Sequence, residues 1–343
     1  MTAHDVEYIE IYTSDLQRTT DYFSSKFGFS EKAKCSADDL DSVLLHQNNI
    51  QLMLTSGPGA AGFLAAHGDG IVDIAFSCED PAAARERALA AGARDLAPDH
   101  ADGLAVSGFG AVRHTLVRRA AGQAFALPGG RDWVLTPKAP AADGEAPTLT
   151  KLDHIAVCLD AGTLHEMAQF YIDGFGFEEY SSEYVAVGEQ AMDSIVVRSL
   201  SAGITFTMIE PDASKKPGQI DEFLERNGGA GVQHLAFLVD EIIPAVLDFE
   251  SRGIEFLQTP GTYYDALAKR ISDLDEGIAE LRKTNVLADR DEWGYLLQLF
   301  TRSPFERRTL FFELIQRHGA KGFGSSNIRA LYEAVERARA ATS

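Results

Sequence analysis

The sequence predicts an α+β protein of two similar domains, each built from two βαβββ modules. The length, 343 residues, is enough for about two domains of ordinary size. The composition, 45% hydrophobic and 24% charged, is that of a globular chain rather than a disordered or fibrous one. A strand–turn–helix pattern near the start of the chain also returns just after its middle, which indicates an internal repeat.

Each half opens with a short alternating strand, a turn, an amphipathic helix and a Gly-Phe pair. The two openings read VEYIEIYTSDLQRTTDYFSSKFGF and LDHIAVCLDAGTLHEMAQFYIDGFGF. In the second opening, Thr163 and Glu166 fit a capping box that starts the helix, and Gly174 is placed to end it. A second pair, HGDGIVDIAF and NGGAGVQHLAF, follows at a similar distance in each half. The alternative is an ordinary α+β protein in which this similarity arose by chance.

A proline-rich segment, TPKAPAADGEAPT at 136–148, separates the halves and has little to bury, so it is typical of a linker. We therefore predict a first domain over 1–135, a linker over 136–150 and a second domain over 151–343. Near the end, NIRALYEAVERARA has apolar residues at helical spacing, which predicts a C-terminal helix with one buried face.

The charge balance excludes some partners. The chain has 31 Lys and Arg against 51 Asp and Glu, a formal net charge of −20, so we expect no binding to nucleic acid or to anionic membrane surfaces. No apolar run approaches the roughly 18 residues of a membrane helix, and the start lacks signal-peptide features. Three cysteines without a CxxC pair suit a reducing compartment, which predicts a cytoplasmic protein.

Three residues are candidate metal ligands. His154 and His234 open two apolar strands, LDHIAVCL and GVQHLAFLV, at equivalent positions of successive modules. Glu313 lies inside the apolar run RTLFFELIQR, where an unpaired carboxylate would be costly to bury. A lone buried histidine is usually a hydrogen-bonded core residue, but two at equivalent positions beside a carboxylate favour a shared cation. Two imidazoles and one carboxylate form the triad of non-haem Fe(II) oxygenases.

The first half has different residues at the matching positions. Tyr8 and Asp73 stand where the second half has its two histidines, and the late strand RHTLVRRA has no carboxylate among its central residues. The first domain is therefore predicted to be a structural partner without a metal site.

Several long segments identify the chain as resembling a known family. They are GGAGVQHLAF, PGTYYDAL, NVLADRDEWGYLLQLFT, RTLFFELIQRHGAKGFGSSNIRALYEAVE and HGDGIVDIAF. Nearly the whole chain is similar to the 4-hydroxyphenylpyruvate dioxygenase family of the vicinal-oxygen-chelate fold. This resemblance implies two tandem glyoxalase-like domains, each of two βαβββ modules forming an open barrel. The resemblance implies one Fe(II) per chain on the residues matching His154, His234 and Glu313, with O₂ as co-substrate and 4-hydroxyphenylpyruvate as substrate. Catalysis would be iron-centred, with no separate protein acid or base.

The family has two activities on this substrate, which form homogentisate or 4-hydroxymandelate. Where the homogentisate-forming enzymes usually have Gly-Asn-Phe, this chain has Ser326-Asn327-Ile328, and where they have FPINEP it has FTMIEP, with Thr207 and Ile209 in place of Pro and Asn. These departures resemble the mandelate-forming pattern. We therefore expect benzylic hydroxylation to 4-hydroxymandelate and CO₂, with homogentisate formation as the alternative.

The resemblance also assigns a substrate pocket, and the residues near the C-terminus predict a lid. The residues matching pocket positions are Ser194, Thr207, Ile209, Gln219, Gln233, Gln298, Phe300, Phe311, Asn327 and Ile328. The GFGSS run at 322–326 precedes the C-terminal helix, which is expected to close over the iron as a lid.

Two further readings remain open from the sequence. An extradiol catechol dioxygenase has the same fold and ligand types, but the YYDAL segment and the C-terminal helix argue against it. A metal-free binding protein of this fold is a more distant alternative, since it has no reason to bury three ligands together. The resemblance also implies a possible homodimer, an S-configured product and a role in antibiotic biosynthesis.

Overall fold

The structure is a computed structural model, and it describes most of the chain between residues 3 and 328. The described ranges are 3–37, 39–96, 104–119, 124–137, 149–271, 274 and 276–328. Within these ranges the chain forms two large mixed β-sheets, one in each half. No helix in the described ranges is long and apolar enough to cross a bilayer.

The first half forms a nine-stranded sheet from the residues described. Its strands are β1 Asp5–Tyr12, β2 Ser30–Ser36, β3 Asp41–Gln47, β4 Ile50–Ser56, β5 Gly70–Cys78, β6 Asp95–Leu96, β7 Leu104–Ser107, β8 Arg113–Arg118 and β9 Val134–Leu135. Its helices are α1 Leu16–Asp21, which continues as a π-helical segment Tyr22–Lys26, then a short 3₁₀ turn Pro58–Ala60, α2 Ala61–His67 and α3 Pro81–Ala90.

The second half forms an eight-stranded sheet from the residues described. Its strands are β10 Lys151–Cys158, β11 Glu178–Val187, β12 Gln190–Arg198, β13 Thr205–Pro211, β14 Gly231–Leu238, β15 Leu287–Arg290, β16 Tyr295–Phe300 and β17 Phe311–His318. Its helices are α4 Leu164–Phe175, α5 Gln219–Asn227, α6 Ile242–Ser251, α7 Gly261–Arg270 and α8 Ile278–Thr284.

The strand orders confirm the predicted fold class of four βαβββ modules. They are β6-β7-β8-β5-β1-β4-β3-β2-β9 and β11-β12-β13-β10-β14-β17-β16-β15. In each sheet the first strands of the two modules lie side by side and antiparallel, as β1 with β5 and β10 with β14. Each first strand also pairs in parallel with the last strand of its own module. The result is two pseudo-symmetric sheets, each curled into an open half-barrel.

The predicted domain bounds stay a prediction, although the first sheet lies within 5–135 and the second within 151–318. Most of the predicted linker, 138–148, lies outside the described residues. Of the predicted C-terminal helix, the structure describes the turn at 325–328, and the remainder lies outside the described residues.

The helix α4 begins as expected but ends later. Thr163 is its N-cap residue, yet its side chain bonds the carbonyl of Asp160, and the N–H groups of Thr163 and Leu164 donate instead to the Glu210 carboxylate. The last helical residue is Phe175, and the C-cap residue is Gly176, in a left-handed conformation with φ of 70°, and not Gly174. Gly174 instead lies where α4 packs closely against α3. A Cβ on Gly174 would lie only 3.3 Å from the backbone of Ala88 in α3, so the absence of a side chain permits this close packing.

The two halves share one hydrophobic core. Phe312 in β17 contacts Phe23 and Phe27 of the first half, with ring centroids 5.3 and 5.5 Å apart. Across the same interface, the hydroxyl of Tyr171 in α4 donates to Nε2 of His114 in β8 at 2.7 Å, while His114 Nδ1 donates to the carbonyl of Ile74 at 2.9 Å. The neutral imidazole of His114 is thus held by one donor and one acceptor.

This contact predicts a pH dependence of stability. Burial lowers the pKa of His114 from 6.5 to about 4, so between these values the unfolded chain binds a proton that the folded chain does not. The free energy of unfolding should therefore fall as pH is lowered from 6.5 to 4, with this residue contributing up to about 1.4 kcal/mol per pH unit. Denaturant unfolding at several pH values measures how steeply the free energy of unfolding falls with pH. This fall should be shallower in His114→Gln, whereas the control His165→Gln, at an exposed histidine, should show the same fall as the unmodified protein. Equal slopes in His114→Gln and the unmodified protein would contradict the assignment.

Candidate metal centre

Three adjacent strands bring the predicted ligands to one face of the second sheet. His154 lies in β10 opposite Ala236 of β14, and Ala236 lies beside Glu313 of β17. His234 is two residues before Ala236 and therefore points to the same face. Ala236 is fully buried between the three side chains, and its small methyl group leaves the space that they enclose.

The ligand atoms converge on one point. Nε2 of His154 lies 3.3 Å and Nε2 of His234 lies 3.2 Å from the same oxygen, Oε2 of Glu313. All three ligand atoms lie within 4.8 Å of one another. Ligands bound at about 2.1 Å and at right angles around one divalent ion would be about 3 Å apart. The three residues, each at most 8% exposed, therefore fit a single metal ion.

A β-bulge precedes each histidine and orients its ring. The register between β10 and β14 shifts at Asp153 and again at Gln233, the residues just before His154 and His234. Nδ1 of His154 donates to Oδ1 of Asp153 at 2.9 Å, and Nδ1 of His234 donates to Oε1 of Gln233 at 3.1 Å. In both rings this leaves Nε2 as the nitrogen that faces a metal. Gln233, predicted to line the substrate pocket, thus contacts a histidine directly.

The electrostatics of the site favour a cation. Burial opposes charge on His154, but the carboxylates of Asp153 and Glu313 outweigh it and raise the pKa of His154 to about 9. Burial lowers the pKa of His234. Burial would raise the pKa of Glu313, yet the two imidazole groups beside it, at 3.2 and 3.3 Å, lower that pKa, so the carboxylate stays ionised. A divalent ion would satisfy the same carboxylate and both ring nitrogens at once.

Aromatic rings surround the ligands. Phe311 stacks on His234 at a centroid distance of 5.0 Å, and Phe300 meets the same ring edge-on at 5.7 Å. Phe323, which the sequence analysis did not single out, meets His154 edge-on at 5.1 Å. These rings make the surroundings of the ligands largely apolar.

Four other predicted pocket residues share the face of the triad. Thr207 and Ile209 of β13 pair with Ala156 and Cys158 of β10, which follow His154 at alternate positions. Ser194 of β12 pairs with Ile209, although its hydroxyl donates to the carbonyl of Glu183 in β11. Gln298 of β16 lies opposite Ile315 of β17, two residues after Glu313. The sheet register alone therefore aligns these side chains with the ligands.

Gln298 carries an unusual polar atom. Its side chain is buried, and Oε1 has no hydrogen-bond partner among the described residues. A Cβ placed on Gly324 would lie 1.9 Å from this oxygen, so the C-terminal segment passes directly over it. A buried acceptor without a partner costs about 1–3 kcal/mol, a cost that a donor on a bound ligand would remove.

Three predicted pocket residues are placed differently from the rest. Gln219 is exposed at the first residue of α5. Asn327 is buried, and its Oδ1 accepts from the hydroxyl of Tyr263 in α7 at 2.7 Å, which anchors the C-terminal segment. Ile328 follows it and is 38% exposed. Their roles in substrate binding stay predictions.

The first half has an ion-pair network at the equivalent place. By register, Tyr8, Asp73 and Thr115 correspond to His154, His234 and Glu313. Asp73 accepts from the backbone N–H of Thr115 at 3.0 Å and from the guanidinium of Arg113 at 3.1 Å. Arg113 also bonds the buried Glu10, which in turn pairs with Arg131 at 2.7 Å. Two arginines thus balance two carboxylates.

Comparison with known proteins agrees with this architecture. The chain matches the family model described as the Glyoxalase/Bleomycin resistance protein/Dioxygenase superfamily over residues 5–109 and 151–299. It is 36% identical over 295 residues to 4-hydroxyphenylpyruvate dioxygenase of Pyricularia oryzae, covering 81% of this chain and 70% of that protein. It is 30% identical to the protein of the same name from Dictyostelium discoideum, covering 96% of this chain and 97% of that one.

A solved structure is also similar. A triple mutant of 4-hydroxymandelate synthase from Streptomyces coelicolor superimposes with a TM-score of 0.87 at 47% identity, covering 99% of this chain and 100% of that one. Both domains and nearly the full length are therefore accounted for by one group of enzymes. The chain belongs to the Glyoxalase/Bleomycin resistance protein/Dioxygenase superfamily and, within it, to the 4-hydroxyphenylpyruvate dioxygenase family of oxygenases.

Proposed function

We propose that this enzyme holds one Fe(II) on His154, His234 and Glu313 and converts 4-hydroxyphenylpyruvate and O₂ into 4-hydroxymandelate and CO₂. The observation that carries the proposal is the convergence of three buried ligand atoms within 4.8 Å, on the sheet face that also holds Thr207 and Ile209. The similarity to 4-hydroxymandelate synthase supports the same product.

The donor set suits iron. Two neutral imidazoles and one carboxylate on one side of an ion leave its remaining positions open, which is the arrangement of non-haem Fe(II) oxygenases. When bound, the iron would supply a place where the α-keto acid and O₂ meet, together with electrons for O₂ reduction. The protein directs the ligands toward the ion, since Asp153 and Gln233 fix both rings and the imidazoles keep Glu313 ionised.

The remaining residues of the face would bind and orient the substrate. Phe300 and Phe311 form an apolar wall beside His234, suitable for the aromatic ring. The unpartnered Oε1 of Gln298 would accept a hydrogen bond from the substrate's phenol, which fixes one end of the molecule while the keto acid lies at the metal. No protein acid or base is needed in this scheme.

The C-terminal segment would exclude water. Phe323 lies on the ring of His154, and Gly324 passes over Gln298, so the stretch between β17 and the turn at 325–328 covers the ligand face. Excluding water protects a reactive oxidant from side reactions until the substrate has reacted.

The branch between the two products depends on where the ring is held. Thr207 and Ile209 replace a proline and an asparagine that are usual in the homogentisate-forming enzymes, and Ile328 replaces a phenylalanine. Without that aromatic wall the ring can turn away from the oxidant, which leaves the benzylic CH₂ as the nearest target. Formation of homogentisate is the second candidate function, because the relatives from Pyricularia oryzae and Dictyostelium discoideum bear the name of that activity.

Removing the carboxylate ligand should abolish metal binding and turnover. In Glu313→Ala two neutral imidazoles would face the ion alone, so Fe(II) affinity should fall beyond the ~10–100-fold that is typical when an outer hydrogen-bond partner of a ligand is lost. Anaerobic metal titration and O₂ uptake measure both effects. Thr115→Ala, at the equivalent position of the first domain, is the matched control and should bind Fe(II) normally. Unchanged affinity in Glu313→Ala would rule out the triad.

Product analysis should separate the two candidate functions. The unmodified enzyme should form mainly 4-hydroxymandelate, and Ile328→Phe combined with Thr207→Pro and Ile209→Asn should move product toward homogentisate. A tenfold change in partition needs only about 1.4 kcal/mol between the two transition states, which steric exclusion can supply. Ile328→Leu is the control and should leave the ratio unchanged. Mainly homogentisate from the unmodified enzyme would refute the proposed product, whereas an unchanged ratio in an active triple variant would refute the explanation.

A further inference from the structure

The contacts around Arg317 point to a role for this residue that the proposed chemistry does not include. We propose that Arg317 is a positioning residue that couples the metal ligand His154 to the segment 319–328 covering the site. This inference rests on the proposed metal site. It concerns the joint placement of ligand and lid, and not the identity of the product.

Arg317 lies in β17, four residues after Glu313, and forms a partly buried ion pair with Asp153, the two side chains being 17% and 8% exposed. Its Nη2 donates to Oδ1 of Asp153 at 2.7 Å, and its Nε donates to Oδ2 at 2.8 Å. Oδ1 is also the atom that accepts from Nδ1 of His154. The arginine therefore fixes the carboxylate that orients the histidine ring, and the geometry is bidentate, which adds direction to charge.

The opposite edge of the guanidinium holds the covering segment. Nη1 donates to the carbonyls of Ala320 at 3.2 Å and Gly322 at 2.7 Å. The guanidinium also lies 5.2 Å from the ring of Phe323, and that ring meets His154 at 5.1 Å. His154, Asp153, Arg317 and Phe323 thus form a closed ring of contacts, which we call the clamp. Through these contacts, a shift of the His154 ring would displace the covering segment 319–328, and a shift of that segment would displace the ring.

The remainder of the segment is anchored by residues that do not touch the ligands. Oδ2 of Asp291 accepts from the N–H groups of Lys321 and Gly322 at 2.6 and 2.8 Å. Oδ2 of Asp289 accepts from the N–H of Ser326 at 3.1 Å. These bonds hold the segment to β15 and the turn after it, so among the described contacts the clamp is what links it to the metal ligand.

The internal repeat supplies a counterpart without a metal ligand. Glu7, in the bulge before Tyr8, pairs with Arg119, and the Arg119 guanidinium lies 4.7 Å from the ring of Phe125. The spacing from arginine to phenylalanine is the same in both halves. The carboxylate–arginine–phenylalanine set is therefore a feature of the repeated fold. What distinguishes the second copy is that its phenylalanine packs on a candidate ligand.

The counterpart makes a matched control possible. Arg317→Gln and Arg119→Gln each remove one arginine, partly buried in the first case and buried in the second, from an equivalent ion pair, so both should lower stability. Only Arg317→Gln should weaken metal binding, by about 10–100-fold, because the oriented carboxylate partner of His154 is released. Titration of the full chain with Co²⁺ or Fe²⁺ under anaerobic conditions measures this difference.

Hydrogen exchange tests the coupling directly. In the unmodified protein, adding Co²⁺ should slow amide exchange in residues 319–328, and Arg119→Gln should keep this protection. Arg317→Gln should lose it. Arg317→Lys retains a charge for Asp153 but cannot also reach the carbonyl of Gly322, so it should bind metal nearly normally while its segment exchanges faster. It also keeps the test decisive if Arg317→Gln does not fold.

The outcomes separate this inference from the proposed function. If the unmodified chain binds no divalent ion, the proposed metal site fails and the coupling fails with it. If it binds the ion but exchange in 319–328 does not change, the site stands and the coupling is refuted. Equal loss of metal affinity in Arg317→Gln and Arg119→Gln would likewise overturn the inference, as would full metal-induced protection in Arg317→Lys.

Discussion

The second domain depends on one buried oxygen, Oε2 of Glu313, which both imidazoles share at 3.2 and 3.3 Å. A carboxylate that is 2% exposed must be compensated, and the sheet register leaves two histidines as its neighbours. Every other feature of the site follows from satisfying this group. The bulges aim the rings, Ala236 leaves room between them, and aromatic side chains pack against both imidazoles.

The first domain also buries carboxylates at the equivalent place, but it compensates them with arginines. The same strand register places Glu10 and Asp73 on the equivalent face, where they are compensated by Arg113 and Arg131. Burial raises the pKa of Asp73 to about 6 in spite of the neighbouring arginine, so even this paired carboxylate carries a cost. The fold thus fixes where polar groups meet, and the local residues decide whether an arginine or a metal ion balances them.

The repeat also explains how a lid could be added without disturbing the sheet. In both halves an arginine at or just after the end of the second module's last strand, β8 or β17, bonds a carboxylate in the bulge of the first strand. A phenylalanine six residues later packs on its guanidinium. After Arg119 the chain continues toward the edge strand β9, whereas after Arg317 it turns over the ligand face. The same carboxylate–arginine–phenylalanine set therefore occurs beside an edge strand in the first half and beside the candidate metal ligands in the second, depending on the path of the following segment.

The repeat, the four modules and the three ligand candidates can be predicted from the sequence alone, because apolar periodicity and the cost of burying His154, His234 and Glu313 are local properties. The sequence does not predict the partners of those ligands. Asp153 and Gln233 reach the rings only because a bulge re-aims each side chain, and Arg317 reaches Asp153 across two strands far apart in sequence. The sequence predicts the wrong end for α4 for a similar reason. Gly174 permits close packing against Ala88 of the other domain, and this contact is not visible in the local sequence. Which residues meet across strands and domains is set by register and packing, and these exist only once the chain has folded.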